Sequence, residues 1–289
     1  MSIGRCSARQ FRGACGLHGA KLDDVREHPP VDVLDVATTL WRAAQSARLT
    51  EAPSGRYPSF TLADGYAVGR DLRGRRLAAG AVQVGVKLGF TNRALWRQLG
   101  LDDPFWSSMY DTTVTTTLGQ LRASDFVQPR IEPEIVLGVT ADLSADSDAH
   151  EIGAAIGWAA LGFEIVQCHY PDWAMTPADA VADSGLHARL ALGRPSELRG
   201  NDVLGLAAVE VELINGEVTA GRGVGANALG GPLDAITWLL GLPGFEGLPA
   251  GAIVTTGTLT AALPVRPDQR WRVAARGPVV LRGLELSFR

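Results

Sequence analysis

The amino-acid sequence predicts an α+β fold in which helices come first and a strand-rich body follows. Apolar residues recur at helical spacing over residues 31–49. Beyond Gly80 the chain consists of short apolar runs that are separated by glycine, as strands and tight turns require. Asn215-Gly216 lies between two such runs, and this dipeptide is the strongest short-range signal for a β-hairpin. These three observations indicate the fold class.

Two helices are predicted near the N-terminus. The first runs from Val31 to about Leu49, where the apolar residues fall on one helical face. Residues 51–59 are rich in proline, glycine and serine, so they form a loop. The second helix begins after Thr61, whose hydroxyl suits an N-cap and which has Asp64 three residues further on.

Strands dominate the predicted body, with a few short helices between them. The strands are Ala81–Leu88, Val127–Val139, Leu206–Ile214, Glu217–Ala220, Ala252–Thr256, Trp271–Ala275 and Val279–Ser287. The helices are Arg93–Leu99, Ala178–Ala182 and one that has Pro232 in its first turn. Gly153–Val166 is ambiguous, because its small residues suit a helix and its apolar end suits a strand.

Three segments describe the expected domain organisation. Residues 1–30 are expected to be a disordered extension or the product of a start codon placed too early. Residues 31–80 are expected to form a helical N-terminal segment, and residues 81–289 a strand-rich domain. The two segments are expected to fold as a single structural unit.

Composition limits the classes of function. The chain has 289 residues, of which 46% are hydrophobic and 20% charged, which is ordinary for a globular protein with a sizeable core. Its formal charge of −4 offers no broad basic surface for nucleic acid or an anionic membrane. No apolar run approaches the roughly 20 residues that span a bilayer. Three cysteines do not make a disulfide framework, so a reducing, cytoplasmic location is expected.

A group of carboxylates is the most informative local feature. Glu132 and Glu134 are two residues apart in RIEPEIVLG, so a strand places both on one face, about 6–7 Å apart. Their neighbours are apolar, and burying two like charges together costs free energy that a divalent cation would offset. Glu164 lies in a similar apolar setting in ALGFEIVQC. An all-oxygen site favours Mg²⁺ or Mn²⁺ over Zn²⁺. The alternative is that the pair faces solvent on an edge strand.

A single lysine interrupts the strand VGVKLG. Gly85 and Gly89 flank Lys87, and small neighbours permit close approach of backbone or ligand. Lys87 could bind a carboxylate, or transfer a proton if burial lowers its pKa. The alternative is a lysine that protects an edge strand from aggregation.

Several motifs in order resemble the fumarylacetoacetate hydrolase superfamily, and most closely its hydratase/decarboxylase branch. The resemblance covers roughly residues 32–289. The matching stretches are FTLADGYAV (60–68), VGVKLGFTNRALWRQLGLDDP (84–104), RIEPEIVLGV (130–139), LGFEIV (161–166), DWAMTPADAVAD (172–183), NGEVTAGRGVGANALGGPLDAITWL (215–239) and GAIVTTGTLTAALPV (251–265).

The resemblance implies both a fold and a site. The fold is a mixed β-roll with N-terminal and peripheral helices, assembled into homo-oligomers. The family's metal ligands map to Glu132, Glu134 and Glu164, and its active-site lysine maps to Lys87. The implied ligand is Mg²⁺ or Mn²⁺, which would be chelated by a small 2-oxo acid through a carboxylate and a keto oxygen.

The sequence departs from the hydratase pattern around the substrate's far end. Phe105 and Trp106 stand where hydratases carry an aspartate after proline, and Leu186 stands near the family's serine. His187 is the natural substitute acid or base, with its pKa near neutrality. Asp183 matches the family's V-A-D and would orient either Lys87 or a loop.

Gly89 and Asp111 are also expected to line the substrate pocket, together with Phe105, Trp106 and Leu186. Cys168-His169 is not expected to be a nucleophile–base pair, because adjacent residues of a strand point in opposite directions. The glycines of 221–225 follow a hairpin strand, which does not fit a dinucleotide site.

These observations predict a metal-dependent lyase, a hydratase or decarboxylase, that acts on a short unsaturated 2-oxo acid. One alternative is C–C hydrolysis of an acylpyruvate, although the Glu-His helix typical of those hydrolases has no obvious equivalent before Glu132. The other alternative is a metal-binding family member without catalysis, which the missing aspartate and serine would favour.

Overall fold

The computed structural model describes residues 30–94, 96, 103–116 and 119–289. The expected extension, apart from Pro30, and much of the expected Arg93–Leu99 helix lie outside these residues. The helices are α1 (Val33–Ser46), α2 (Pro53–Arg56), α3 (Leu62–Ala78), α4 (Ala149–Ala155), α5 (Pro177–Ala182), α6 (Asp202–Gly205) and α7 (Pro232–Leu240).

The strands begin after the first three helices and alternate with short helices and turns. They are β1 (Gln83–Gly89), β2 (Phe105–Tyr110), β3 (Val114–Thr115), β4 (Gln120–Leu121), β5 (Arg130–Val139), β6 (Ile156–Val166), β7 (His187–Leu192), β8 (Ser196–Glu197), β9 (Glu210–Asn215), β10 (Val218–Val224), β11 (Ile253–Thr258), β12 (Leu263–Pro264), β13 (Arg270–Arg276) and β14 (Leu284–Phe288).

Side-chain caps define where the N-terminal helices begin. Asp32 caps α1 by accepting a hydrogen bond from the backbone N–H of Asp35 at 3.0 Å. Thr61 and Asp64 form a reciprocal capping box at the start of α3, as the sequence predicts. The helix α1 ends earlier than its periodicity indicates, because Ala47 adopts a left-handed conformation with φ 48°.

The strands of the described residues form two sheets that contain both parallel and antiparallel pairs. The larger has the order β2-β1-β11-β5-β6-β7-β3, with β12 beside β5 and β8 beside β6. The smaller has the order β10-β9-β13-β14-β4. The pairs β1–β11, β3–β7 and β4–β14 are parallel. This arrangement confirms the α+β class and the mixed sheets of the expected β-roll.

Several elements differ from the sequence-based expectations. The ambiguous segment contains both structures, since α4 ends at Ala155 and β6 starts at the next residue. The expected strand from Leu206 begins only at Glu210, because residues 206–208 form a helical turn. The strands β2 and β7, which border the site, have no counterpart in the sequence-based expectations. The hairpin at Asn215-Gly216 is confirmed.

Alternation along the strands separates two faces of the larger sheet. One face contributes the buried residues Leu88, Ile131, Ile135, Phe163 and Ile165 to the main hydrophobic core. The opposite face carries the glutamates and Lys87, and further along the same strands the small apolar cluster of Met109, Val136, Ala160, Leu190 and Leu192. The fold therefore places the polar site on the face away from the main core.

The N-terminal helices pack beside the site. Their buried residues, such as Leu40 and Val68, share a hydrophobic cluster with Phe105, Val166 and Leu186 of the body. That residues 31–80 and 81–289 form one structural unit stays a prediction, which this shared cluster supports. None of the helices in the described part of the chain is long and apolar enough to cross a membrane.

Candidate metal and active site

Two neighbouring strands bring the three glutamates together. Glu132 and Glu134 extend from one face of β5, and Glu164 lies on β6 directly opposite Glu132. Each contributes an oxygen to a group whose members all lie within 4.8 Å of one another. Glu134 and Glu164 are fully buried, whereas Glu132 is half-buried. Like charges directly opposite each other on a sheet are destabilising, so this arrangement is costly without a cation.

A bulge in β11 provides a backbone donor for Glu134. The register between β5 and β11 shifts between Thr255 and Thr258, and the N–H of Gly257 donates to Glu134 Oε2 at 2.9 Å. Gly257 has a φ of 103°, and a Cβ there would lie 1.7 Å from Thr91 Oγ1, so the position requires glycine. The other oxygen, Glu134 Oε1, has no hydrogen-bond partner among the described residues.

Lys87 reaches the carboxylates from β1, which β11 separates from β5. Its Nζ lies 3.2 Å from Glu164 Oε2 and donates to the carbonyl oxygen of Gly185 at 2.9 Å. The same nitrogen lies 5.3 Å from the centre of the Phe105 ring. The lysine is 2% exposed, so it is a core residue of the site and not a solvated edge lysine.

His187 opens β7 and contacts the third glutamate. Its Nδ1 lies 2.8 Å from Glu164 Oε1, and its Nε2 lies 2.9 Å from Thr113 Oγ1. Both ring nitrogens are therefore engaged by protein atoms. The sequence predicts His187 as a substitute acid or base, and in the structure its Nδ1 contacts the Glu164 carboxylate.

The electrostatics of the group follow from burial. Burial raises the pKa of Glu132 to about 7 despite the opposing charge of Lys87. Burial, and then the negative charges of Glu164 and Glu132, raise the pKa of Glu134 well above its usual value. Burial also acts to raise the pKa of Glu164, but Lys87 and the His187 hydrogen bond outweigh it and the net shift is downward.

The ammonium of Lys87 is stabilised in its charged form. Burial acts to lower its pKa, but the charges of Glu164, Glu132 and Glu134 outweigh burial and raise the pKa. Proton transfer by Lys87 through a burial-lowered pKa was one of two roles expected from the sequence, and this shift is contrary to it. The ammonium suits the other role, which is binding a carboxylate.

The donor set fits a divalent cation. Octahedral Mg²⁺ with oxygens at about 2.1 Å places its ligand atoms up to about 4.2 Å apart, and three carboxylate oxygens that lie within 4.8 Å of one another need only a small shift to bind it. The unpartnered Glu134 Oε1 is a buried carboxylate oxygen that such an ion would satisfy. With oxygen ligands alone, the site suits a hard ion such as Mg²⁺ or Mn²⁺.

Three residues expected in the substrate pocket lie near Lys87. Phe105 is buried beside the Lys87 ammonium, and Gly89 lies beneath its ring, where a Cβ would be 2.2 Å from Phe105 Cζ. Leu186 is buried with a φ of 62°, directly after the Gly185 carbonyl that accepts from Lys87. Gly89 thus makes room for an aromatic ring, and Phe105, which shares a hydrophobic cluster with Leu186, places apolar surface next to the lysine.

Two other expected pocket residues lie elsewhere. Trp106 pairs with Leu88 on β1, so alternation places it on the opposite face from Lys87, where it packs on Phe245 at 5.0 Å. Asp111 is exposed on the turn after β2 and accepts hydrogen bonds from the N–H groups of Val82 and Thr112. The turn that Asp111 stabilises meets the chain at Val82, and at about 3.3 Å per residue Val82 lies about 16 Å from Lys87.

Asp183 pairs with His169, for which the sequence predicts no role. Its carboxylate lies 2.7 Å from Nδ1 of His169 and accepts the backbone N–H of the same residue at 3.1 Å. Asp183 therefore orients the loop before α5, which was one of its two expected roles. Cys168 is buried beside this pair, and burial raises the pKa of its thiol to about 12.

Sequence reasoning missed three contacts of the site. The Gly185 carbonyl and the Gly257 N–H are backbone groups, so no side-chain pattern indicates them. Thr113 lies two residues after Asp111, which is expected in the pocket, but it is the hydroxyl of Thr113 that contacts His187. The glycine in VTTGT was the available signal, because a glycine inside a strand indicates a bulge or a close approach.

Comparisons with known proteins identify relatives along most of the chain. No protein-family model matches it. A 2-keto-4-pentenoate hydratase from Paraburkholderia phymatum is 33% identical over 78% of this chain and 87% of the relative. A second, from Paraburkholderia xenovorans, is 30% identical over 81% and 87%. A 4-oxalocrotonate decarboxylase from Pseudomonas putida is 29% identical over 85% and 93%.

Solved structures agree with these relatives. A 4-oxalocrotonate decarboxylase from Pseudomonas putida, complexed with magnesium and adipate, superposes with a TM-score of 0.82 at 27% identity and covers 89% of this chain and 97% of that chain. A fumarylpyruvate hydrolase from Pseudomonas aeruginosa in complex with Mn²⁺ and pyruvate has a TM-score of 0.58 at 15% identity over 72% and 89%. The second likeness shows the fold alone.

Proposed function

The chain belongs to the hydratase/decarboxylase branch of the fumarylacetoacetate hydrolase superfamily, and from this we propose that it is a divalent-metal-dependent lyase acting on a short unsaturated 2-oxo acid. The observation that supports the proposal is the convergence of three buried or half-buried carboxylates with one buried lysine. A structural protein gains nothing from burying like charges at this cost.

Each charged residue has a part in this proposal. Glu132, Glu134 and Glu164 would hold Mg²⁺ or Mn²⁺. A bound cation would supply Lewis-acid stabilisation of the negative charge that develops on the keto oxygen of the 2-oxo acid. Lys87 remains an ammonium and offers its charge to the substrate's carboxylate. The Gly185 carbonyl fixes the position of that ammonium.

The surroundings of Lys87 favour loss of CO₂ over addition of water. Phe105 presents apolar surface beside the ammonium, Leu186 is buried in the same hydrophobic cluster as Phe105, and neither side chain can position or deprotonate a water molecule. His187 has both ring nitrogens engaged by Glu164 and Thr113, so it is not free to activate water. An apolar environment destabilises a carboxylate relative to neutral CO₂, which suits decarboxylation of a dicarboxylic 2-oxo acid.

A substrate panel tests the proposal. The purified protein is assayed with Mn²⁺ and with Mg²⁺ on 4-oxalocrotonate, 2-keto-4-pentenoate and fumarylpyruvate, and both ultraviolet absorbance and CO₂ release are followed. We expect metal-dependent turnover of 4-oxalocrotonate with release of CO₂. Glu132→Gln and Glu134→Gln should abolish turnover, whereas Glu217→Gln, on the exposed hairpin turn, serves as the matched control.

Each of the other possible results would contradict a specific part of the proposal. Turnover that survives loss of Glu132 and Glu134 would reject the metal site. Cleavage of fumarylpyruvate alone would make the chain a C–C hydrolase. A protein that binds Mn²⁺ and turns over none of the three compounds would be a non-catalytic family member.

The proposal extends to assembly and location. We propose a homo-oligomer, as the family resemblance implies, and a reducing cytoplasmic environment, which the buried free thiol of Cys168 tolerates well. Light scattering coupled to gel filtration measures the first, and a monomer at working concentration would reject it.

A further inference from the structure

We infer that His187 is a positioning residue that holds the Glu164 carboxylate for the cation, and that it does not exchange protons with the substrate. This inference rests on the proposed metal site. It assigns a role to a residue at which the chain departs from the family's pattern, and it includes Thr113 as the group that fixes the ring.

The imidazole is enclosed on both sides. The His187 side chain is 2% exposed, and its two nitrogens contact Glu164 Oε1 at 2.8 Å and Thr113 Oγ1 at 2.9 Å. A general acid or base needs one nitrogen within hydrogen-bond reach of the substrate. Since both nitrogens of His187 are already engaged, the ring has no free nitrogen for that purpose.

The partners determine which nitrogen donates. An ionised carboxylate only accepts, so the contact with Glu164 requires a proton on Nδ1. In the neutral ring Nε2 then accepts from the Thr113 hydroxyl, whose alternative acceptor is the Tyr110 carbonyl at 3.1 Å. Thr113 is itself held in place, because Tyr110 N–H donates to its Oγ1 at 3.1 Å and its carbonyl accepts from Leu190 N–H at 2.8 Å.

The hydrogen bond to His187 gives the two oxygens of the Glu164 carboxylate different partners. Oε1 is held by the imidazole, so Oε2 is directed towards Lys87 and the other glutamates. Without His187, Oε1 would be a buried carboxylate oxygen without a donor, and the side chain could rotate to give both oxygens to Lys87. Such a rotation would withdraw a ligand from the cation. Partners that orient a ligand in this way typically account for 10–100-fold in metal affinity.

Three variants separate a positioning role from an acid–base role. His187→Leu removes the donor, His187→Asn retains an N–H donor near the position of Nδ1, and Thr113→Val releases the ring. Binding of Mn²⁺ is measured by calorimetry on the full chain, and unfolding of the metal-free variants by circular dichroism. We expect His187→Leu to weaken Mn²⁺ binding about 10–100-fold. Thr113→Val should weaken it less, and His187→Asn should recover most of the affinity.

Turnover at increasing Mn²⁺ gives an independent readout. If His187 positions a ligand, saturating Mn²⁺ restores most of the turnover of His187→Leu. Normal Mn²⁺ binding by His187→Leu, together with a loss of kcat that metal does not restore, would overturn the inference in favour of acid–base catalysis. Equal loss of affinity in the leucine and asparagine variants would overturn it as well, and so would a parent protein that does not bind Mn²⁺. A parent that binds Mn²⁺ without turning over any substrate would refute the proposed function alone, since the affinity series still tests His187.

Discussion

Replacing Glu132 with glutamine should make the metal-free protein more stable at pH 8, although it removes a ligand of the proposed site. Burial raises the pKa of Glu132 from 4.5 to about 7. Between these pH values the folded protein binds more protons than the unfolded chain, so its stability falls as the pH rises and the full penalty applies above pH 7. At about 1.4 kcal/mol per tenfold change in proton affinity, the penalty is at most about 3 kcal/mol.

Thermal unfolding measures this effect. In EDTA at pH 8 the variant should melt about 5 °C above the parent, and the difference should vanish towards about pH 3.5, below both pKa values, where the glutamate is protonated in both states. Mn²⁺ at 1,000 times its Kd should reverse the order, because a ligand at that concentration adds about 4.1 kcal/mol to the parent, which exceeds the penalty. Glu217→Gln, at an exposed turn, is the matched control. A variant that is less stable than the parent in EDTA at pH 8 would refute the electrostatic reasoning.

Three further outcomes follow from burial and packing. The Cys168 thiol has its pKa raised to about 12 by burial, so peptide mapping should find it unmodified by iodoacetamide at pH 8 until the protein unfolds. Gly257→Ala should cost at least about 3 kcal/mol in urea unfolding, because its Cβ would lie 1.7 Å from a hydroxyl, while Gly74→Ala, with no atom within 4 Å, should stabilise by about 0.5–1 kcal/mol. Asp179→Asn should cost about 2–4 kcal/mol, because the buried carboxylate accepts two hydrogen bonds from Ser54 in α2 and two from Thr176, which caps α5. The exposed cap Asp148→Asn should cost less than about 1 kcal/mol, and equal losses at the two sites would contradict this.

Local patterns predicted those features that depend on near neighbours in the sequence. The capping box of Thr61 and Asp64 needs three residues of separation, and the common face of Glu132 and Glu134 needs only the two-residue period of a strand. The apolar setting of ALGFEIVQC singles out Glu164, but no local pattern connects it to β5, and only the family resemblance implies that it joins the other two glutamates. The mixed sheets and the convergence of the glutamates agree with these expectations.

Errors arose where a strand was not predicted. The sequence indicates no strand over Phe105–Tyr110, so Trp106 is expected in the pocket beside Phe105, whereas the alternation of β2 turns it to the opposite face from Lys87. Asp111 was placed in the pocket for the same reason. The contact between Lys87 and Glu164 joins strands that β11 and β5 separate, so it depends on the sheet order, which short-range patterns do not contain.

The charges of the site explain why, without metal, the parent protein and the Glu132→Gln variant should differ in stability. With His187 neutral, three carboxylates and one ammonium leave two negative charges in a largely buried space. Lys87 contacts Glu164, whose pKa is lowered, and the pKa values of Glu132 and Glu134 are raised instead. Two protons or one divalent cation therefore neutralise the same excess, so the two compete. Binding of Mn²⁺ should release protons and weaken as the pH falls below about 7, and this competition has the same origin as the reversal of stability expected for the Glu132 variant.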